Sequence, residues 1–165
     1  MDIFKEQIIK IKPTLKTAAF KVLIWAAAAL ILAAIIYFGF GQFLPVAAIG
    51  LFWGALVLCR KLDVEYEYIL TNGDLDIDKI IGKRERKRIL ALKCADIEKI
   101  GKYNGEMKLP GKLFICCNPG DEAYYIIARE RDEGTVCIVM SPNDKMKEAI
   151  KHFVPRIIQM GAFGE

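Results

Sequence analysis

From residue 22 to residue 59 the chain carries no Asp, Glu, Lys, Arg or His. Lys21 bounds this apolar run on one side, Arg60 and Lys61 on the other. One helix needs roughly 20 such residues to cross a bilayer, and the run is about twice that long. Gly41-Gln42, with Pro45 just beyond, interrupts it near the middle. The pattern predicts two membrane-spanning helices, over residues 22–40 and 43–60, joined by a very short turn. Upstream, Phe4, Ile8, Ile11 and Leu15 recur at helical spacing, with Lys5, Lys12 and Lys16 on other faces. Over residues 1–21 this predicts a basic amphipathic segment beside the membrane, kinked or broken at Pro13.

After Asp63 the period changes to two. Val64, Tyr66, Tyr68 and Leu70 alternate with Glu65 and Glu67, and Thr71-Asn72-Gly73-Asp74 follows. Asn-Gly between alternating runs predicts a two-residue hairpin turn into a strand at 75–81. That register sets Leu70 opposite Leu75, Tyr68 opposite Ile77 and Glu67 opposite Asp78, so the apolar faces coincide. Further strands are predicted over 84–93, 97–103, 112–117, 123–129 and 136–140, with a helical turn at Ala95-Asp96-Ile97. Asn104-Gly105, Pro110-Gly111, Asn118-Pro119-Gly120 and Asp132-Glu133-Gly134 mark the loops. A closing helix is expected with Ser141 as N-cap and Pro142 in the first position. Met146, Ala149, Ile150 and Phe153 share its apolar face, Pro155 ends it, and Ile157, Ile158 and Met160 form an apolar tail. The fold class is therefore α+β: a transmembrane hairpin over 22–61, then a mainly β domain over 62–165 with a C-terminal helix.

Charge adds an orientation. Before residue 62, seven Lys and Arg stand against Asp2 and Glu6, a net +5, so the remainder carries −1 of the total +4. A nearly neutral β domain does not fit a nucleic-acid binder. Basic residues flank both ends of the apolar run and none lies in its turn, which predicts both termini in the cytoplasm of a multi-pass cell-membrane protein. A cleaved signal peptide would need a shorter apolar core and a small-residue cleavage site, and Tyr37-Phe38-Gly39-Phe40 offers none.

Little in the chain points to catalysis. Cys59, Cys94, Cys116, Cys117 and Cys137 include no C-x-x-C, and a reducing compartment leaves them as free thiols. His152 is the one histidine, too few ligands for zinc. Asp74-x-Asp76-x-Asp78 lacks the glycine and later glutamate of a calcium loop and reads as one face of a strand. Without a nucleophile elbow, phosphate loop or metalloprotease signature, no enzyme activity, metal or cofactor is expected. Nor does the interior of either span, inward of Arg60, hold an ionisable residue of the kind channels and proton-coupled transporters use.

Two residue sets remain as candidate sites. Ala29 and Ala33 on the first span match Gly50 and Gly54 on the second in depth, which suits close helix packing within the hairpin or between two copies. Lys83, Arg84, Arg86, Lys87 and Arg88 form a basic strand. It serves either as an anionic-lipid contact or as a solvated edge guarded against aggregation.

Seven strands followed by one amphipathic helix resemble the pleckstrin-homology-like (PH-like) fold, a bent sandwich with the helix plugging one end. Two spans, a basic pair, Tyr68-Ile69-Leu70-Thr71-Asn72-Gly73, a basic third strand and Asp96-Ile97-Glu98-Lys99-Ile100 together resemble bacterial membrane proteins that carry a PH-like domain. The resemblance implies a fold and an address rather than a reaction. The expected function is a membrane-anchored docking or scaffold module for a protein partner or a second copy. The alternative is an anionic-lipid sensor built on residues 83–88; the phosphoinositide sites of related eukaryotic domains lie instead on the first hairpin, where this chain has no basic residue.

Overall fold

The structure, a computed structural model, describes residues 3–130, 134–159 and 163. The expected turn at Asp132-Glu133 and the tail residue Met160 lie outside them. The chain divides into a helical unit, Lys12–Val64 with Ile81–Glu85, and a β unit, Met1–Ile11, Glu65–Ile80 and Arg86–Glu165.

The helical unit holds α1 (Leu15–Tyr37) and α2 (Leu44–Lys61), joined by a 3-10 turn at Gly41–Phe43. At 1.5 Å per residue they extend about 34 and about 27 Å, each long and apolar enough to cross a membrane. Helix α1 starts at Leu15 rather than at residue 22. Pro13 ends the preceding segment, and Thr14 is an N-cap whose Oγ1 accepts from Thr17 N at 3.3 Å while Thr17 Oγ1 accepts from Thr14 N at 3.2 Å. Half-buried Ile24, Ala28, Leu32 and Ile35 form a stripe at three- and four-residue spacing on α1. Ala47, Ala48, Leu51 and the buried Ala55 do the same on α2. Trp25 and Phe52 add a tilted ring contact at 5.5 Å. Most other side chains of both helices are exposed, including Leu15, Leu30, Ile49 and Trp53. Lys21 Nζ lies 2.7 Å from Asp63 Oδ1, which sets the second turn of α1 level with the end of α2.

The β unit is built from two four-stranded sheets. The first has the order β1-β2-β3-β4, with β1 at Phe4–Lys10, β2 at Val64–Thr71, β3 at Asp74–Ile81 and β4 at Glu85–Lys93. The second has the order β5-β7-β8-β6: β5 at Ile97–Lys102, β6 at Lys112–Ile115, β7 at Tyr124–Glu130 and β8 at Gly134–Met140. Its pairings are antiparallel except for β6 against β8, which run parallel. Asn72 and Gly73 both have positive φ (49° and 95°), the geometry a two-residue hairpin turn requires. The core gathers Tyr68, Leu70, Leu75, Ile77, Ile97, Ile126, Ile138 and Met140 with Met146, Ala149 and Ile150 of helix α3 (Asp144–Phe153). Phe153 is half-buried against it, and Val154-Pro155 separates α3 from the short α4 (Arg156–Gln159).

Two expectations are corrected. The N-cap of α3 is Asn143, whose Oδ1 accepts from Met146 N at 2.8 Å; the Ser141 hydroxyl donates instead to Glu122 O at 2.8 Å. More consequential, residues 4–10 are not a helical amphipathic segment but a strand paired antiparallel with β2, from Phe4 opposite Thr71 to Lys10 opposite Glu65. The helical spacing of Phe4, Ile8 and Ile11 is coincidental. The alternate positions Gln7 and Ile9 face inward, opposite Tyr68 and Tyr66, while Phe4 and Ile8 stay exposed. The β unit therefore starts before the hairpin, and the domain boundary at residue 62 is moved accordingly.

Strand β1 holds the closing helix. Gln7 Nε2 donates to Ser141 O at 3.0 Å, and Gln7 Oε1 accepts from Asn143 N at 2.8 Å. Tyr68, the register partner of Gln7, donates its hydroxyl to Cys116 O at 2.6 Å and accepts from Ser141 N at 3.4 Å. One amide side chain thus satisfies two backbone groups ahead of α3, each hydrogen bond contributing about 1 kcal/mol net. Replacing the hairpin by a short Gly-Ser loop that joins residues 1–11 to 63–165 should give a soluble, cooperatively folding unit. Gln7→Ala in that unit should lower its unfolding free energy by about 1–3 kcal/mol in urea denaturation. Residues 63–165 alone should be less stable than either.

Candidate functional site

The basic strand is divided by its own geometry. Side chains alternate along β4, and Arg86 and Arg88 point to the face that carries the acids of β2 and β3. Arg86 grips Glu67 with both amino groups, Nη1 to Oε2 at 3.0 Å and Nη2 to Oε1 at 3.2 Å. Arg88 spans Asp76 at 3.0 Å and Asp78 at 3.3 Å. Two of the three carboxylates in the 74–78 run are thus ion-paired to arginine, and among the described residues no group of three or more His, Cys, Asp or Glu is placed to hold a metal.

Glu67 is the unusual member, with its side chain only 1% exposed. Oε2 has the Arg86 charge beside it but no well-directed hydrogen bond. Burial holds its pKa above the ordinary carboxylate value, and the neighbouring Glu6 carboxyl adds to the shift through a hydrogen bond. Arg86 opposes the shift without cancelling it.

The other basic residues lie elsewhere. Gly82 and Lys83 both have positive φ (59° and 61°), forming the turn from β3 to β4 that carries Arg84. Gly82 N donates to Asp63 O at 2.8 Å, and a Cβ on Gly82 would stand 3.0 Å from the Arg60 carbonyl oxygen, so the turn lies directly on the end of α2. Between them is a pocket of about 160 Å³, walled by Trp53, Leu56, Val57 and Ile81 and rimmed by Arg60, Lys61, Arg84 and Glu85. Sequence reasoning assigned Arg60 and Lys61 to topology alone. No local signal joins them to Arg84, because the meeting depends on the Gly82-Lys83 turn.

The small residues are not where close helix packing within the hairpin would put them. Ala29, Ala33, Gly50 and Gly54 are exposed, and a Cβ added to either glycine would meet nothing within 4 Å. The seam uses Ala28 and Ala55, a rotation of the stripe that depth matching alone does not detect.

In the β unit a second concavity of about 380 Å³ is lined by Tyr103, Asn104, Ile115, Cys117, Asn118 and Asp121, among others. It adjoins β6, the outer strand of its sheet, where Leu113 and Ile115 are exposed. Burial pushes the Cys94 and Cys116 thiols up to about 12 and Cys137 to about 11, and raises Cys117 as well. These four thiols stay protonated at neutral pH. His152 is exposed, its ring edge-on to Phe153.

The family model that matches this chain is described as "Bacterial PH-like domain (DUF6106)" and covers residues 1–160, so the match includes β1 and both apolar helices. No curated protein and no solved structure matches the chain.

The two halves of the basic run should separate by mutation. Arg86→Ala leaves a buried carboxyl unpaired and should cost roughly 1–3 kcal/mol in denaturant unfolding; that range is below the figure for a fully buried pair because Arg86 is 60% exposed. Lys83→Ala and Lys87→Ala should stay within about 0.5 kcal/mol of the parent. Because the Glu67 pKa is raised on folding, the native state binds the proton more tightly than the unfolded chain. Its contribution to stability is therefore greatest at low pH. It declines as pH climbs from the unfolded carboxyl value of about 4.3 through the raised native one, then levels off. Glu67→Gln should remove that slope from a plot of Tm against pH.

Proposed function

The chain belongs to this bacterial PH-like domain family, and within it we propose a non-enzymatic docking module anchored in the cytoplasmic membrane by two spans, with both termini inside. One observation carries the reading: the two apolar helices are inserted between strands that pair with each other. The chain leaves the sheet at Lys10 and returns at Glu65, and paired residues are only about 5 Å apart. Whatever lies between must begin and end on the same side of a bilayer. Two crossings satisfy that condition, and one would tear the sheet. The surface of α1 and α2 supports the same reading, since water would otherwise solvate a nearly continuous belt of Leu, Ile, Val, Phe and Trp. Lys16, Lys21, Arg60 and Lys61 at the open end favour the cytoplasmic side.

The docking surface we assign is the outer side of β6 with its neighbouring groove. Strand β6 is outermost in its sheet, and Leu113 and Ile115 offer exposed, alternate apolar side chains beside the groove for an extended partner segment. The non-catalytic part of the reading draws on the burial and protonation of the four domain thiols. Of the lipid-sensing alternative, Arg86 and Arg88 are already neutralised by acids, which leaves Lys83, Arg84 and Lys87 for diffuse attraction to anionic lipid.

In intact cells a membrane-impermeant maleimide should label Gln42→Cys and leave Lys83→Cys unlabelled until the membrane is opened. The reverse pattern, or equal labelling, would remove the proposed topology. A photo-crosslinking residue at Leu113 should give a discrete protein adduct that Ile115→Asp abolishes; adducts unaffected by that change would count against the β6 edge.

A further inference from the structure

We propose that the pocket between the last turns of α2 and the β3–β4 turn binds one anionic phospholipid, taking its phosphate-bearing headgroup and the start of its chains. The proposal rests on the membrane-spanning reading of the hairpin. The chemistry of the lining is sorted by depth. Arg60 and Lys61 occupy the last turn of α2, while Val57, Leu56 and Trp53 follow toward the apolar interior. Seven residues separate Arg60 from Trp53, about 10 Å along the helix, so the pocket runs from the charged boundary marked by Lys21 and Asp63 into the hydrocarbon side. A phospholipid is anionic and then apolar in the same order. A soluble anion would leave the apolar wall unused.

Basic residues at the end of a span have a simpler explanation, since they complement the helix dipole and follow the positive-inside rule. Arg84 is not covered by it. It arrives from a separate element, held there by Gly82 N on Asp63 O and by Arg84 N on Ile81 O at 3.2 Å. Three cations and one carboxylate then rim a single pocket, and among the described residues none of the four side chains makes an ion pair. Arg86 and Arg88, a few residues on, are fully engaged with acids. Size points the same way. At about 160 Å³ the pocket is smaller than the roughly 300–1,000 Å³ that whole small-molecule ligands occupy, which suits a headgroup whose chains stay in the bilayer.

Trp53 lines the pocket and Trp25 is the only other tryptophan, so the full chain with Trp25→Phe reports on the site directly. It would be reconstituted in phosphatidylcholine nanodiscs with a minor fraction of either phosphatidylglycerol or phosphatidylcholine, brominated high on the acyl chains. The brominated anionic lipid should quench Trp53 several times more strongly than the zwitterionic one at equal mole fraction. Each basic residue near an anionic surface contributes about fivefold in affinity, so Arg60→Ala with Arg84→Ala should bring the quenching by the two lipids close to equal. Lys83→Ala with Lys87→Ala should retain the preference, and millimolar glycerol phosphate should not compete. Equal quenching by the two lipids overturns the proposal, and that comparison needs no pocket variant to fold. A preference that survives in the double variant, or that soluble glycerol phosphate abolishes, overturns it as well. A chain that alkaline carbonate strips from the discs overturns the spanning reading and this site together, whereas a retained chain without lipid preference overturns only the site.

Discussion

The antiparallel pairing of β1 with β2 constrains the rest of the chain. Lys10 and Glu65 are opposite one another in the ladder, although two helices of 23 and 18 residues intervene. The ladder closes a large excursion, and closing it brings Gln7 to the backbone just ahead of α3. Remove the pairing and the first sheet loses its outer strand, the Ser141–Asn143 link loses its clamp, and the excursion no longer has to return. Hydrogen bonds that are individually modest thus decide a topological matter that hydrophobicity alone leaves open.

Electrostatics divides along the same lines. On the sheet, carboxylates of β2 and β3 meet arginines of β4, and burial keeps one of those carboxyls easy to protonate. In the pocket at the end of α2, Arg60, Lys61 and Arg84 gather with Glu85 as the one acid in the lining. The same six-residue run, Lys83 to Arg88, contributes to both. A positive-φ turn at Gly82-Lys83 is what separates its beginning from its end. Counting charge along the sequence treats the run as one patch, but two of its arginines mainly hold a sheet together.

Much of the fold was legible in sequence because its signals are local. The uncharged run gives two helices, Asn72-Gly73 gives a hairpin, and alternating or apolar runs between turn residues give the seven strands from β2 onward. The apolar face of α3 is plain at 146, 149, 150 and 153. Strand β1 was not legible, because its partner is more than fifty residues away and its apolar positions happen to fit a helix. Thr14 after Pro13 did carry a helix-start signal, but the uncharged stretch beginning at residue 22 outweighed it. Candidate sites were harder still. The exposure of Gly50 and Gly54 depends on the rotation of one helix against another, and the pocket at Arg60 depends on a turn that arrives from twenty residues downstream. Neither leaves a mark in composition or spacing.

The insertion of a helical hairpin between paired strands also orders events in time. A growing chain presents β1 before β2, its partner, which follows only after both apolar helices have been made. Strand β1 must therefore remain unpaired through the whole of hairpin synthesis, with Phe4 and Ile8 uncovered on one side and Ile9 on the other. If the helices insert as proposed, the ladder forms only when insertion has returned the chain to its starting side. Completion of the sheet then acts as a proofreading step on membrane insertion: a chain that crosses only once has an unpaired strand at each face and no clamped closing helix.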